Sequence, residues 1–131
     1  MKGDPLNPAD WLRVAMVDLD RARREIRAAD FTAAGFWLQQ SAEKAMKGWL
    51  IGHGWSLVKT HELPRLAHEC AGHGTDLAWF GQSARRLIAI YFTDRYVDDS
   101  PDPEPDATEC SQLLADVENL HAILFPPPPA A

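Results

Sequence analysis

Long apolar runs, paired cysteines and positive charge are what this sequence has least of, and each shortage removes a class of protein. No stretch approaches the ~18 to 20 uninterrupted apolar residues of a membrane span, and the opening MKGDPLNPADW lacks the apolar segment of a secretory leader. The expectation is a cytoplasmic protein with no membrane partner. Only Cys70 and Cys110 are present, without C-x-x-C spacing, so neither a disulfide framework nor a thiolate zinc cage is expected and both should be reduced thiols. Lys and Arg number 13 against 19 Asp and Glu, a net charge of −6. Bulk charge therefore gives no general attraction to nucleic acid, and any nucleotide or RNA site must be a local basic patch. The common chemical motifs are missing as well. There is no G-x-S-x-G, no Walker loop and no G-x-G-x-x-G. The five histidines form no H-E-x-x-H pair, because His61-Glu62 is followed by no histidine at the fourth position. No metal and no cofactor are expected, and a self-contained enzyme is not visible.

What remains is a helical pattern. With 131 residues, 46% of them hydrophobic, the chain can fill one core, so a single domain over residues 1–131 is expected, with its core at about 8–125. Apolar residues recur at Leu12, Ala15, Leu19, Ala22 and Ile26, which predicts a helix from about Pro8 to Ala29. Asp30 can cap a second helix that stops at Gly52 and Gly54, with Phe31, Gly35, Leu38, Ala42, Ala45 and Trp49 on one side. A weaker third helix spans about Glu62 to Gly72, with Thr60 or His61 near its start and Pro64 in its first turn. Thr75 or Asp76 can cap a fourth, carrying Phe80, Ala84, Leu87, Ile88 and Tyr91 to about Tyr96. Its run LIAIYF could be a strand, but no second strand-like run exists to pair with it. After Val97 the acidic, proline-rich DDSPDPEPD reads as a mobile linker at about 98–105. Asp106 then caps a fifth helix that halts at the prolines 126–129, leaving a frayed or polyproline tail at 126–131. The fold class is all-α, an up-and-down bundle of four to five helices, with the first, second and fourth at its centre and the fifth covering an open side.

Three constellations can carry chemistry. Gln40, Glu43, Lys44 and Lys47 line one stripe of the second helix at spacings of three and four; by periodicity alone this is a solvated face, in which a Glu43–Lys47 pair contributes ~0.2–0.5 kcal/mol. Lys59-Thr60-His61 enters the third helix, where a cation, a hydroxyl and free N–H groups can converge on an anion. The bland alternative is that Thr60 merely caps the helix and His61 is a surface residue. Tyr91, Asp94, Arg95 and Tyr96 end the fourth helix as the densest polar and aromatic cluster in the chain, although Arg95 could simply complement the helix dipole and pair with Asp94 or Asp98.

Taken in order, VDLDRARREIRAADFTAAGFWLQQSAEKAMKGWLI, VKTHELPRL and ARRLIAIYFTDRYVDD resemble the HEPN domain, the helical domain named for its occurrence in higher eukaryotes and prokaryotes and for proposed nucleotide binding. The resemblance covers about residues 10–125 and rests on the ordered trio Q-x-x-E-K-x-x-K, K-T-H-x-L and R-Y. It implies a helical bundle that pairs as a homodimer and is often encoded beside a minimal nucleotidyltransferase in a toxin–antitoxin arrangement. It also implies a possible metal-independent ribonuclease, because many members carry an Arg followed, after four to six residues, by a His at the dimer cleft.

This sequence departs from that motif. Arg65 precedes His68 too closely and His73 too distantly, and no His follows Arg95 at all within reach. Lys47 precedes His53 by the right spacing, but lysine is not a planar guanidinium and His53 lies between two glycines. The resemblance then favours nucleotide or partner binding by Gln40, Glu43, Lys44, Lys47, Lys59, Thr60, His61, Tyr91, Arg95 and Tyr96. The rival is a ribonuclease with a shifted set, Arg95 stabilising phosphate charge and His61 acting as acid and base. A homodimer is expected, because Trp11, Trp37, Trp55 and Trp79 cannot all be placed inside so small a bundle, and the resemblance implies that it pairs through the second and fourth helices. Within one chain the Lys59–His61 loop should lie far from Arg95, so a cleft joining them needs Arg95 from a second copy.

Overall fold

The computed structural model describes residues 3–95, 97 and 102–129, and among them it has five α-helices, one 3₁₀ turn and no strand. The helices are α1 (Pro8–Arg27), α2 (Phe31–Gly52), α3 (Leu63–Gly72), α4 (Gly81–Arg95) and α5 (Ala107–Leu124). None is long and apolar enough to cross a membrane.

Local chemistry sets most of the boundaries. The Asn7 side chain accepts from the Ala9 N–H and Pro8 fills the first turn of α1, where a missing N–H costs nothing. Three residues reverse the chain into α2. Ala29 takes a left-handed φ of 59° to do so, a strain of about 1 kcal/mol for a residue with a Cβ, and the Asp30 carboxylate then caps α2 by accepting from Ala33 N–H. Asp106 does the same for α5 through Glu109 N–H at 2.8 Å. The start of α4 differs from expectation. Asp76 accepts from Ala78 N–H at 2.9 Å, but that bond leads into the 3₁₀ turn Ala78–Phe80, which Leu77 precedes as its cap residue, and α4 begins only at Gly81.

α2 is the axis of the molecule. It packs against α1 most extensively and also against α3, α4 and α5. Leu38, Ala42, Ala45, Met46 and Leu50 carry the core from this helix, meeting Ala15 and Leu19 of α1, Leu63 and Leu66 of α3, Leu87 and Ile90 of α4, and Val117 and Leu120 of α5. The run LIAIYF is helical, burying Leu87, Ile90 and Tyr91. Two glycines set how closely the neighbours approach. A Cβ on Gly48 would lie 2.6 Å from Trp11 Cβ, and one on Gly35 would lie 2.6 Å from Ile90 Cγ2. Because four helices surround α2, its expected polar side is not a solvated face. Glu43 and Lys47 are buried, at 4% and 5% exposure, and Gln39 and Ser41 with them.

The linker is only partly within view, since residues 98–101 lie outside the described part. Its remainder is tied down rather than loose: Arg86 donates to the Pro103 carbonyl at 2.6 Å, and Pro105 is buried. The tryptophans are accommodated better than expected. Trp11 is buried with its indole N–H donating to the Pro5 carbonyl at 2.8 Å. Trp37, Trp49 and Trp55 lie half-buried against the core, and Trp79 alone is exposed.

Candidate functional site

Glu43 is the centre of a buried polar cluster on α2. Gln39, Glu43 and Lys47 succeed one another at spacings of four, so they share one edge of the helix. The Glu43 carboxylate accepts from Gln39 Nε2 at 3.1 Å and His61 Nδ1 at 2.9 Å on one oxygen, and from Lys47 Nζ at 3.0 Å on the other. Three donors converge on it, which is the environment of an ionised carboxylate, with Lys47 offsetting the charge. Gln39 also donates to the His61 backbone carbonyl at 3.1 Å, and this bond ties the incoming loop to α2. No buried side-chain N or O among the described residues lacks a partner. The arrangement fixes the imidazole: Nδ1 carries a proton for Glu43, so Nε2 is the nitrogen left for other chemistry. The His61 side chain is 57% exposed above a carboxylate that is 5% exposed.

Aromatic rings continue outward from His61. Its imidazole stacks on Tyr91 with centroids 5.3 Å apart, and Tyr91 stacks on Phe36 at 5.7 Å with the planes 9° apart. Phe36 meets Trp37 edge-on at 5.0 Å. The Arg95 guanidinium lies 5.5 Å from the Tyr91 centroid and 6.0 Å from that of Phe36, positions suited to cation–π attraction. Arg95 ends α4, where a cation complements the helix dipole. Beside it, burial and the charge of Asp30 hold the Asp94 carboxyl above the ordinary carboxylate range, against the pull of Arg95.

The structure thus brings His61 and Arg95 onto one tyrosine within a single chain, where distance had suggested that a second copy would be needed. The reason is the route of the loop. From Gly52 it returns along α2 as far as Gln39, thirteen residues or about 20 Å of helix, a path that no periodicity announces. Other expected members go elsewhere. Lys44 pairs with Asp18 on the α1 side. Gln40 touches the cluster only by donating to Gln39 Oε1 at 2.6 Å. Lys59 is exposed, and the Thr60 hydroxyl accepts from Glu62 N–H at 3.2 Å. Tyr96 lies outside the described residues. Gln39 and Phe36 were not anticipated. The i, i+4 step from Gln39 to Glu43 could have shown the first; nothing in the sequence separates Phe36 from a core aromatic.

Elsewhere nucleophilic chemistry is weak. Burial pushes the Cys70 thiol up to about 12 and the Cys110 thiol up to about 11, so neither supplies a thiolate near neutral pH. Among the described residues no group of three His, Cys, Asp or Glu could hold a metal ion.

Comparison with known proteins bears on the whole chain. No curated protein matches it. Two solved structures share its fold over nearly their full lengths. A crystal structure of TT1696 from Thermus thermophilus matches with a TM-score of 0.75 at 21% identity, covering 89% of this chain and 94% of that one. The crystal structure of ST0689, described as an archaeal HEPN homologue, matches with a TM-score of 0.71 at 25% identity, covering 95% and 96%. The model of the HEPN domain family matches residues 8–124, from the first turn of α1 to the last of α5, and the chain belongs to that family.

Proposed function

We infer that the chain is a dimeric HEPN module that binds a nucleotide, a minimal nucleotidyltransferase partner, or both, as one member of a toxin–antitoxin-type pair. The observation that carries this reading is the convergence of Arg95 and His61 on the Tyr91 ring, above the buried Glu43–Lys47 pair. A guanidinium matches phosphate oxygens, the half-buried Phe36 and Trp37 rings beside it offer aromatic surface to a planar base, and His61 Nε2 can donate or accept at the sugar or phosphate. The exposed Phe92 beside Tyr91 gives a second copy an apolar contact on α4. Titration with ATP, followed through the His61 ring NMR signals, tests the reading. A saturable shift that weakens at least about tenfold in Arg95→Ala, a loss of roughly 1.4 kcal/mol, is expected. No shift with ATP, together with no stable complex with a minimal nucleotidyltransferase encoded beside the gene, would overturn it.

One observation favours a ribonuclease as the second reading. Glu43 orients His61 as a carboxylate orients the histidine of an acid–base pair, and Arg95 is close enough to share its aromatic support. Expression that arrests growth, with relief by His61→Ala, is the outcome this reading requires; harmless expression of the wild-type chain counts against it.

A further inference from the structure

α1 and α5 both pack on α2 but meet each other only lightly, and between them lies a hollow of about 340 Å³, within the range of small-molecule sites. Its body is apolar. Leu12, Met16 and Leu19 line it from α1, with Ala122 and Phe125 opposite, and the Ala122 methyl is too short to close the gap. Met16 is 54% exposed, an apolar side chain left in water at the edge of the hollow. The rim is polar and carries excess acid. Arg23 donates to Asp20 Oδ1 and to Glu118 Oε2, each at 2.8 Å. Two carboxylates thus share one cation, and each keeps its second oxygen unbonded among the described residues. His121, one turn along α5 from Glu118, adds an acceptor. Ser41 spends its hydroxyl proton on the Ala15 carbonyl, so the imidazole donates to Ser41 through Nε2 at 2.8 Å. Burial, aided by the charge of Arg23, lowers the His121 pKa to about 4, which leaves the ring neutral near pH 7 and its Nδ1 a lone-pair acceptor. That nitrogen lies across the ring from Ser41, on the side of the hollow.

We propose that this hollow between α1 and α5 binds a primary arylalkylamine, its ring between Met16 and Phe125 and its ammonium donating to Glu118 and His121. An ammonium carries donors and no acceptor, and what the rim leaves open is acceptors. The single cation lining the hollow, Arg23, is already engaged by both acids, so the rim keeps one negative charge in excess, and the chain's net charge of −6 draws a cation toward it. A thioether and a phenyl ring on facing walls suit an aromatic body. An anion of the same shape would meet the acids with no free cation to receive it, and a neutral apolar molecule would fill the hollow but leave the acceptors unmatched. The site goes beyond the reading given for His61, Tyr91 and Arg95: it shares no residue with theirs, so either can fail without the other.

The test uses the full chain with tryptamine and indole-3-propionate, an amine and an acid of similar shape, read at the Met16 methyl by NMR. Tryptamine should shift that signal saturably, and the acid should bind at least about tenfold more weakly. Glu118→Gln, at a side chain 46% exposed, should weaken tryptamine about threefold or more and narrow the gap between the two probes. Ala122→Phe puts a ring into the hollow from an exposed position and should abolish the response, with circular dichroism reporting that the helices persist. In Arg95→Ala the Met16 response should survive. Absence of a Met16 shift, equal affinity for the two probes, indifference to Glu118→Gln, a full response in Ala122→Phe, or loss of the response in Arg95→Ala would each overturn the proposal.

Discussion

Ser41 joins three helices through two hydrogen bonds: its hydroxyl donates to the Ala15 carbonyl at 2.8 Å and accepts from His121 Nε2 at 2.8 Å. With the hydroxyl proton spent on Ala15, the imidazole must supply the other one, so His121 carries a hydrogen on Nε2. Burial, aided by the charge of Arg23, lowers its pKa from 6.5 to about 4. The folded state thus binds this proton less readily than the unfolded chain. The stabilisation is complete above about pH 6.5 and is lost as the pH falls toward 4, to a limit of about 3 kcal/mol by linkage. Urea midpoints measured from pH 7 to pH 4 should fall for the wild-type chain and fall less for His121→Gln; parallel curves would show that His121 does not govern the acid limb. At this scale the sequence was legible in part. The Glu43–Lys47 pair could be seen from its spacing, but its burial could not, because the rule that polar residues on a helix face water assumes that only one face is covered.

Helix boundaries were the most legible feature of the elements, and the reasons are local. Asp30 and Asp106 each cap the helix that their position announced, and Pro8 opens α1. The beginning of α4 was not legible, since an Asp reads the same ahead of a 3₁₀ turn as ahead of an α-helix. Nor was the return of the 53–62 loop along α2, which is held by Gln39 reaching the His61 carbonyl and by Glu43 and Tyr91 engaging the His61 ring. Packing between elements is decided at points that sequence marks only as small. Gly48→Ala would gain up to about 1 kcal/mol of helix propensity but drive its Cβ to 2.6 Å from Trp11 Cβ. That atom is bonded to the α1 backbone and cannot swing aside, so the substitution should cost on balance ~1–3 kcal/mol. Gly72→Ala, where a Cβ would meet nothing within 4 Å, should leave the urea midpoint unchanged or slightly raised. A harmless Gly48→Ala would mean that α1 can move away from α2 freely.

In the whole molecule, α2 contacts every other helix, whereas α1 and α5, or α4 and α5, meet only lightly and α1 and α4 scarcely at all. Native-state hydrogen exchange should follow this plan. Amides in the middle of α2 should exchange only with global unfolding, and those of α3, a ten-residue helix held on one side, should exchange through smaller openings. Equal protection in α3 and α2 would contradict it. The same plan bears on communication. The side of α2 that faces α1 and the side that carries the His61 cluster are one residue apart: Phe36 meets Trp37 edge-on and Gln40 donates to Gln39. A change on the α1 side is therefore delivered to the cluster by direct contact and needs no second arrangement of the helix.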